Sequence, residues 1–161
     1  MNIRAHKIGA TAYALWAALH VLAGASLVAS ALNDVNGHLR EIGTASSGAR
    51  LPTLAEGTIV SAIVAFHSFN MVWIGALVGF VAIRLNWRNS RGAYWLNLVL
   101  TGFLDLGLFV FLLVPGYMAP GDGWMGPLLF VVAATFTTLG RRTSVSSAPA
   151  ALGGGVAAVR G

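Results

Sequence analysis

Residues 94–114 read YWLNLVLTGFLDLGLFVFLLV, an apolar run whose one charged residue is Asp105. A helix rises 1.5 Å per residue and the hydrocarbon core of a bilayer is ~30 Å thick, so a run of this length and composition can span a membrane. A carboxylate near the centre of such a run costs at least ~2.5–3.5 kcal/mol, so it is expected to face a protein interior and to have a partner there. The identity of that partner bears on both packing and chemistry.

Three further apolar runs flank this one, at 8–32, 58–83 and 124–140. The last is the shortest and carries Pro127 near its start, where a missing N–H forfeits no helical bond. Composition agrees with lipid as the solvent: 57% of residues are hydrophobic and 9% charged, against roughly 25% charged in soluble domains. The expected fold is an all-α integral membrane protein, a four-transmembrane-helix bundle within residues 1–142. The segment 143–161 is rich in Ser, Ala and Gly and is expected to be a flexible cytoplasmic tail. Its Gly153-Gly154-Gly155 lacks the strand–turn–helix setting of a phosphate loop. The connection 33–57, with a short helix expected around 39–42, is long enough to be a lid as well as a tether.

Charge placement sets the expected orientation. Arg4, Lys7, Arg84, Arg88, Arg91, Arg141, Arg142 and Arg160 all fall on one side of the four spans, and only Arg40 and Arg50 on the other. The positive-inside rule makes the first side cytoplasmic, so both termini are inside a multi-pass protein of the inner membrane. Trp87, Tyr94, Trp95, Tyr117 and Trp124 fall near the ends of the runs, where amphipathic rings settle. A cleaved signal peptide ending at Ala29-Ser30-Ala31 is the competing reading of the start. The first run exceeds the usual ~7–15 residues and holds Tyr13, Trp16 and His20, which argues against it.

Several function classes recede at this stage. The absence of cysteine removes disulfides, thiolate chemistry, Cys-ligated zinc and Cys-attached haem. The net charge of +5 is spread over span ends and forms no single basic patch, so nucleic acid is not an expected partner. Neither a Gly-x-Ser-x-Gly nucleophile motif nor a His-Glu-x-x-His metal box occurs, and no metal site is expected.

Depth counting groups the polar residues inside the spans. His20, Asn70 and Asp105 each lie about twelve or thirteen residues from their cytoplasmic ends, ~18–20 Å in, with His67 one turn further out than Asn70. Three stripes accompany them. Tyr94, Asn97, Thr101 and Asp105 share one face of the third span, opposite Leu96, Val99, Leu100, Phe103 and Leu106. Tyr13, Trp16 and His20 share a face of the first, and Trp73 continues the His67/Asn70 face of the second.

Polar residues in membrane helices commonly serve as interhelical glue, and this is the plain account of Asn70, Asn97 and Thr101. An ionised Asp105 demands more, because it cannot stay unpaired in hydrocarbon. The expected site therefore uses His67, Asp105 and His20 as catalytic groups. Asn70, Trp16, Trp73, Tyr13, Thr101 and Asn97 line a pocket for an apolar lipid-soluble small molecule. An Asp–His pair in a low-dielectric cleft suits acid–base chemistry of the isomerase, hydratase, cyclase or hydrolase type and needs no cofactor.

A redox subunit is the alternative, with His20 and His67 ligating b-type haem or contacting a quinone headgroup. A non-catalytic subunit, in a homo-oligomer or a membrane complex, is the third. His67-Ser68-Phe69-Asn70 resembles the His/Asn-containing second-helix motif of membrane glutathione transferases, which are four-helix trimers. The Arg and Glu that accompany that motif are missing, with Ala65 and Trp73 or Ile74 in the vicinity, so that activity is not carried over. Sterol-isomerase-like membrane bundles share the residue types His, carboxylate, Asn and Trp, but no spacing.

Overall fold

A computed structural model describes residues 4–34, 36, 37 and 59–146, and every regular element among them is helical. Helix α1 spans Ala5–Asn33 and α2 spans Ile59–Arg84. A 3-10 turn, Asn86–Arg88, leads to α3 at Arg91–Leu108, which a π-helical turn prolongs over Phe109–Leu113. A one-turn helix, Pro120–Gly123, precedes α4 at Met125–Ser146.

α1, α2 and α3 with their extensions are long and apolar enough to cross a membrane. α4 is long as well, but Pro127, four threonines and the Arg141-Arg142 pair dilute its apolar character. α1 outruns the predicted 8–32 through Ala5–Lys7 and Asn33, and α2 the predicted 58–83 through Arg84, because polar side chains can extend a helix into the interfacial layer. The predicted tail is shortened by the same effect, since α4 continues to Ser146. The helix expected at 39–42 lies outside the described residues.

Local chemistry explains the breaks. Between α2 and α3 the chain reverses through Asn89, which adopts a left-handed conformation at φ 58° that Asn tolerates better than most residues. Beyond α3, Pro115 is followed by Gly116 at φ 76°, where a side chain would be strained.

α1 is the central helix, packing along α2 on one side and α4 on the other, while α3 lies against α2 and α4. Small residues permit these approaches. A Cβ at Gly24 would come within 2.7 Å of the Ser68 carbonyl oxygen, and one at Gly9 within 2.6 Å of the Thr137 nitrogen. The core forms where the helices meet: Tyr13 and Trp16 of α1, Val78 and Ala82 of α2 and Ala133 of α4, with Leu100 and Leu104 of α3 against them. Towards the far end of α1, the Ser61 hydroxyl donates to the Ala31 carbonyl.

The described basic residues gather at one end of the molecule. Lys7 Nζ lies 5.0 Å above the Trp87 ring, and the Arg141 guanidinium 5.3 Å from the Tyr94 ring. Asn89 donates to the Gly140 carbonyl at 3.3 Å. The start of α1, the α2–α3 turn and the end of α4 therefore share that end. Large apolar side chains, among them Leu22, Phe66, Phe80, Phe103 and Phe111, point outward, as a lipid surround requires and water does not. Leu96, Val99 and Leu106 join Phe103 on the exposed face of α3, as its spacing predicts.

Candidate functional site

Two of the three polar stripes meet in the interior. Tyr13 and Trp16 of α1 are fully buried, as are Asn97 and Thr101 of α3, and Asp105 is 5% exposed. The stripes join where the Trp16 indole Nε1–H donates to both Asp105 carboxylate oxygens, at 3.1 Å and 3.3 Å. The partner of the Asp105 carboxylate is an indole. Asp105 forms no ion pair with a histidine among the described residues.

His20, one turn along α1, is stacked on Trp16 with ring centroids 3.5 Å apart and planes at 19°. Its Nδ1 lies 2.9 Å from the Trp16 carbonyl oxygen. A carbonyl only accepts, so Nδ1 carries the hydrogen, and the neutral ring keeps its lone pair on Nε2. The imidazole is thus fixed in orientation and tautomer by a single backbone contact.

Gly126, in the first turn of α4, closes the cluster. A Cβ placed there would lie 3.1 Å from Asp105 Oδ1, 3.6 Å from His20 Cε1 and 3.8 Å from Trp16 Nε1. Carboxylate, imidazole and indole therefore converge on Gly126, packed against the start of a helix. The N–H groups of a first turn lack helical partners and carry partial positive charge, which favours an anion at that position. Behind the imidazole, Gly75 of α2 lets the helices close: a Cβ there would come 3.2 Å from His20 Cβ and 3.1 Å from the Ala17 carbonyl.

Below this level the stripes are held by backbone contacts. Thr101 donates to the Asn97 carbonyl at 2.6 Å, and Asn97 Nδ2 donates to the Val78 carbonyl at 3.3 Å, tying α3 to α2. Asn97 Oδ1 is buried without a hydrogen-bond partner among the described residues, whereas the Tyr13 hydroxyl faces the Thr101 and Thr137 side chains. A purely packing role would not leave an atom such as Asn97 Oδ1 unmatched without cost.

The third stripe lies elsewhere. His67 is exposed on the outward side of α2, whose inward residues are Ser61, Ser68, Gly75, Val78 and Ala82. The structure does not bring His67 to Asp105, and the pairing expected from depth alone is replaced by Trp16 and His20. Asn70 is half-buried and Trp73 is 46% exposed, and the Trp73 indole donates to Asn70 Oδ1 at 2.8 Å within the same helix. His20 and His67 accordingly face different spaces and do not present two nitrogens to one haem iron. Gly126 is the member that sequence inspection missed, since a glycine beside Pro127 reads only as a helix start. No protein family, curated protein or solved structure matches this chain.

Proposed function

We propose that this chain is a four-span protein of the inner membrane, with both termini cytoplasmic, whose Trp16–His20–Asp105 cluster is an acid–base site. Its substrate is an apolar, lipid-soluble small molecule. The observation that carries the reading is the arrangement at Gly126, where a buried carboxylate and an imidazole whose Nδ1 is held by a backbone carbonyl converge on one glycine. His20 Nε2 is the proton carrier. Asp105 stabilises the imidazolium that forms, and Trp16 positions both by hydrogen bond and stacking. The reaction that asks least of such a pair is isomerisation. A proton leaves a carbon acidified by a neighbouring carbonyl or allylic system and is returned to another, so no co-reactant is consumed.

The test uses purified protein in bilayer nanodiscs, incubated in D2O with a total membrane lipid extract and followed by mass spectrometry. Deuterium entering a lipid-soluble species is expected with the wild type and the His67→Ala variant. It is expected to be lost with His20→Ala and Asp105→Asn, both remaining helical by circular dichroism. Equal labelling by wild type and His20→Ala would overturn the proposal. A second reading, in which the cluster only ties α3 to α1, draws on the Trp16–Asp105 bond itself. It is favoured if no species is labelled while Asp105→Asn unfolds more readily.

A further inference from the structure

The outward side of α2 is patterned for a neighbour. Ile63, Phe66, Asn70, Trp73, Leu77 and Phe80 follow spacings of three, four, three, four and three, the 3.5-residue period of a coiled-coil seam. Five of them are large and exposed, and the sixth is Asn70. This seam is opposite the Ser61–Ser68–Gly75–Ala82 face that packs inward.

Asn70 is the discordant member. It lies fourteen residues from Arg84, ~21 Å along a helix axis, and so within the ~30 Å hydrocarbon layer. Its Oδ1 accepts from Trp73, which fixes the amide and leaves the Nδ2 hydrogens directed away from that bond. Among the described residues no acceptor is met by Nδ2. An amide donor facing lipid tails is costly, whereas an asparagine at one seam position pairs with its own equivalent and sets register.

We infer that this seam is the interface with a second copy of the chain, the two α2 helices packing in parallel about a two-fold axis. The occupant follows from the chain's own symmetry. The strong bias of basic residues gives every copy the same orientation in the membrane, so two copies meet with α2 helices parallel. A parallel pair in register sets Asn70 against the same residue of the second copy. Each amide then donates from Nδ2 to the other's Oδ1, which has a lone pair beyond the one Trp73 uses. A lipid chain would satisfy the apolar positions and leave the amide unmatched.

The absence of cysteine makes the test direct. Single cysteines are introduced at Ile63, Phe66 and Leu77 on the seam, and at Leu22 and Phe103, which are at least as exposed on α1 and α3. The full chain is oxidised in native membranes, and covalent dimer is measured on denaturing gels. Dimer is expected at the three seam positions and at background level at Leu22 and Phe103. Asn70→Leu, read by energy transfer between labelled copies in nanodiscs, is expected to weaken association about 3- to 30-fold, with Asn70→Gln restoring part of it. Cross-linking no greater on the seam than at Leu22 and Phe103 would overturn the inference, with lipid as the occupant. So would cross-linking of the seam cysteines to a different protein.

Discussion

Removing the Trp16 indole N–H should expose what Asp105 costs the fold. Trp16→Phe keeps an aromatic ring under His20 but deletes the one donor to the carboxylate among the described residues. The two contacts are 3.1 Å and 3.3 Å, longer than the ~2.7–2.9 Å of the strongest charge-assisted bonds. The loss should therefore fall low in the ~1.5–3 kcal/mol range for hydrogen bonds to charged groups, at about 1.5–2 kcal/mol. Lost packing adds a fraction of the ~3–5 kcal/mol that truncating a buried Trp to Ala costs, so the single variant mixes two effects. A double-mutant cycle with Asp105→Leu separates them, because the bond can be lost only once. Trp16→Phe should cost about 1.5–2 kcal/mol less in the Asp105→Leu background than in wild type. Unfolding in mixed detergent micelles at increasing SDS fraction, followed by far-UV circular dichroism, measures all four corners. A coupling below about 0.5 kcal/mol would refute the assignment of Trp16 as the partner of Asp105, since it is smaller than the typical interhelical hydrogen bond.

The packing and the orientation make their own predictions. Gly24→Ala places a methyl 2.7 Å from the Ser68 carbonyl oxygen, and overpacking of this kind should cost about 1–3 kcal/mol in the same unfolding assay. Gly107→Ala meets nothing within 4 Å and should be neutral or gain up to about 1 kcal/mol of helix propensity. Equal losses at the two positions would contradict the close α1–α2 approach. For orientation, a green fluorescent protein joined after Gly161 should fluoresce, and alkaline phosphatase at the same point should be inactive. The reverse pattern would overturn the cytoplasmic placement of the C-terminus.

Much of the fold is legible in the sequence because lipid imposes a simple grammar. Every backbone polar group must be satisfied within its own helix, so apolar runs of sufficient length announce α1, α2 and α3 before any packing is known. The α1 and α3 stripes were legible for a second reason. On α3, Asn97, Thr101 and Asp105 contrast with the Leu and Phe around them, and the cost of exposing them to hydrocarbon dictates which way the helix turns. On α1, glycine and alanine beside Tyr13 and Trp16 mark the side where backbones approach. The role of Gly126 was illegible, because its meaning lies in the distance to three side chains from two other helices.

His67 shows where depth fails as a guide. Counting residues places a side chain along the membrane normal but says nothing of its azimuth. On α2 the azimuth is poorly encoded, because apolar residues surround the helix on every side. Ser61 and Ser68 on its inner face are less polar than Asn70 on its outer face but smaller, and small size rather than hydropathy decides which packs. α1 can approach closely only where Gly75 and Ala82 leave room, so the small residues turn inward and carry Phe66, Asn70 and Trp73 outward. His67 then goes with them, leaving Asp105 to Trp16 and His20. The same rotation that removes His67 from the candidate site creates the outer seam. The two proposals therefore stand on opposite faces of one helix–helix packing decision. A bulky residue at Gly75, which a Cβ already brings within 3.1 Å of the Ala17 carbonyl, should disturb both together.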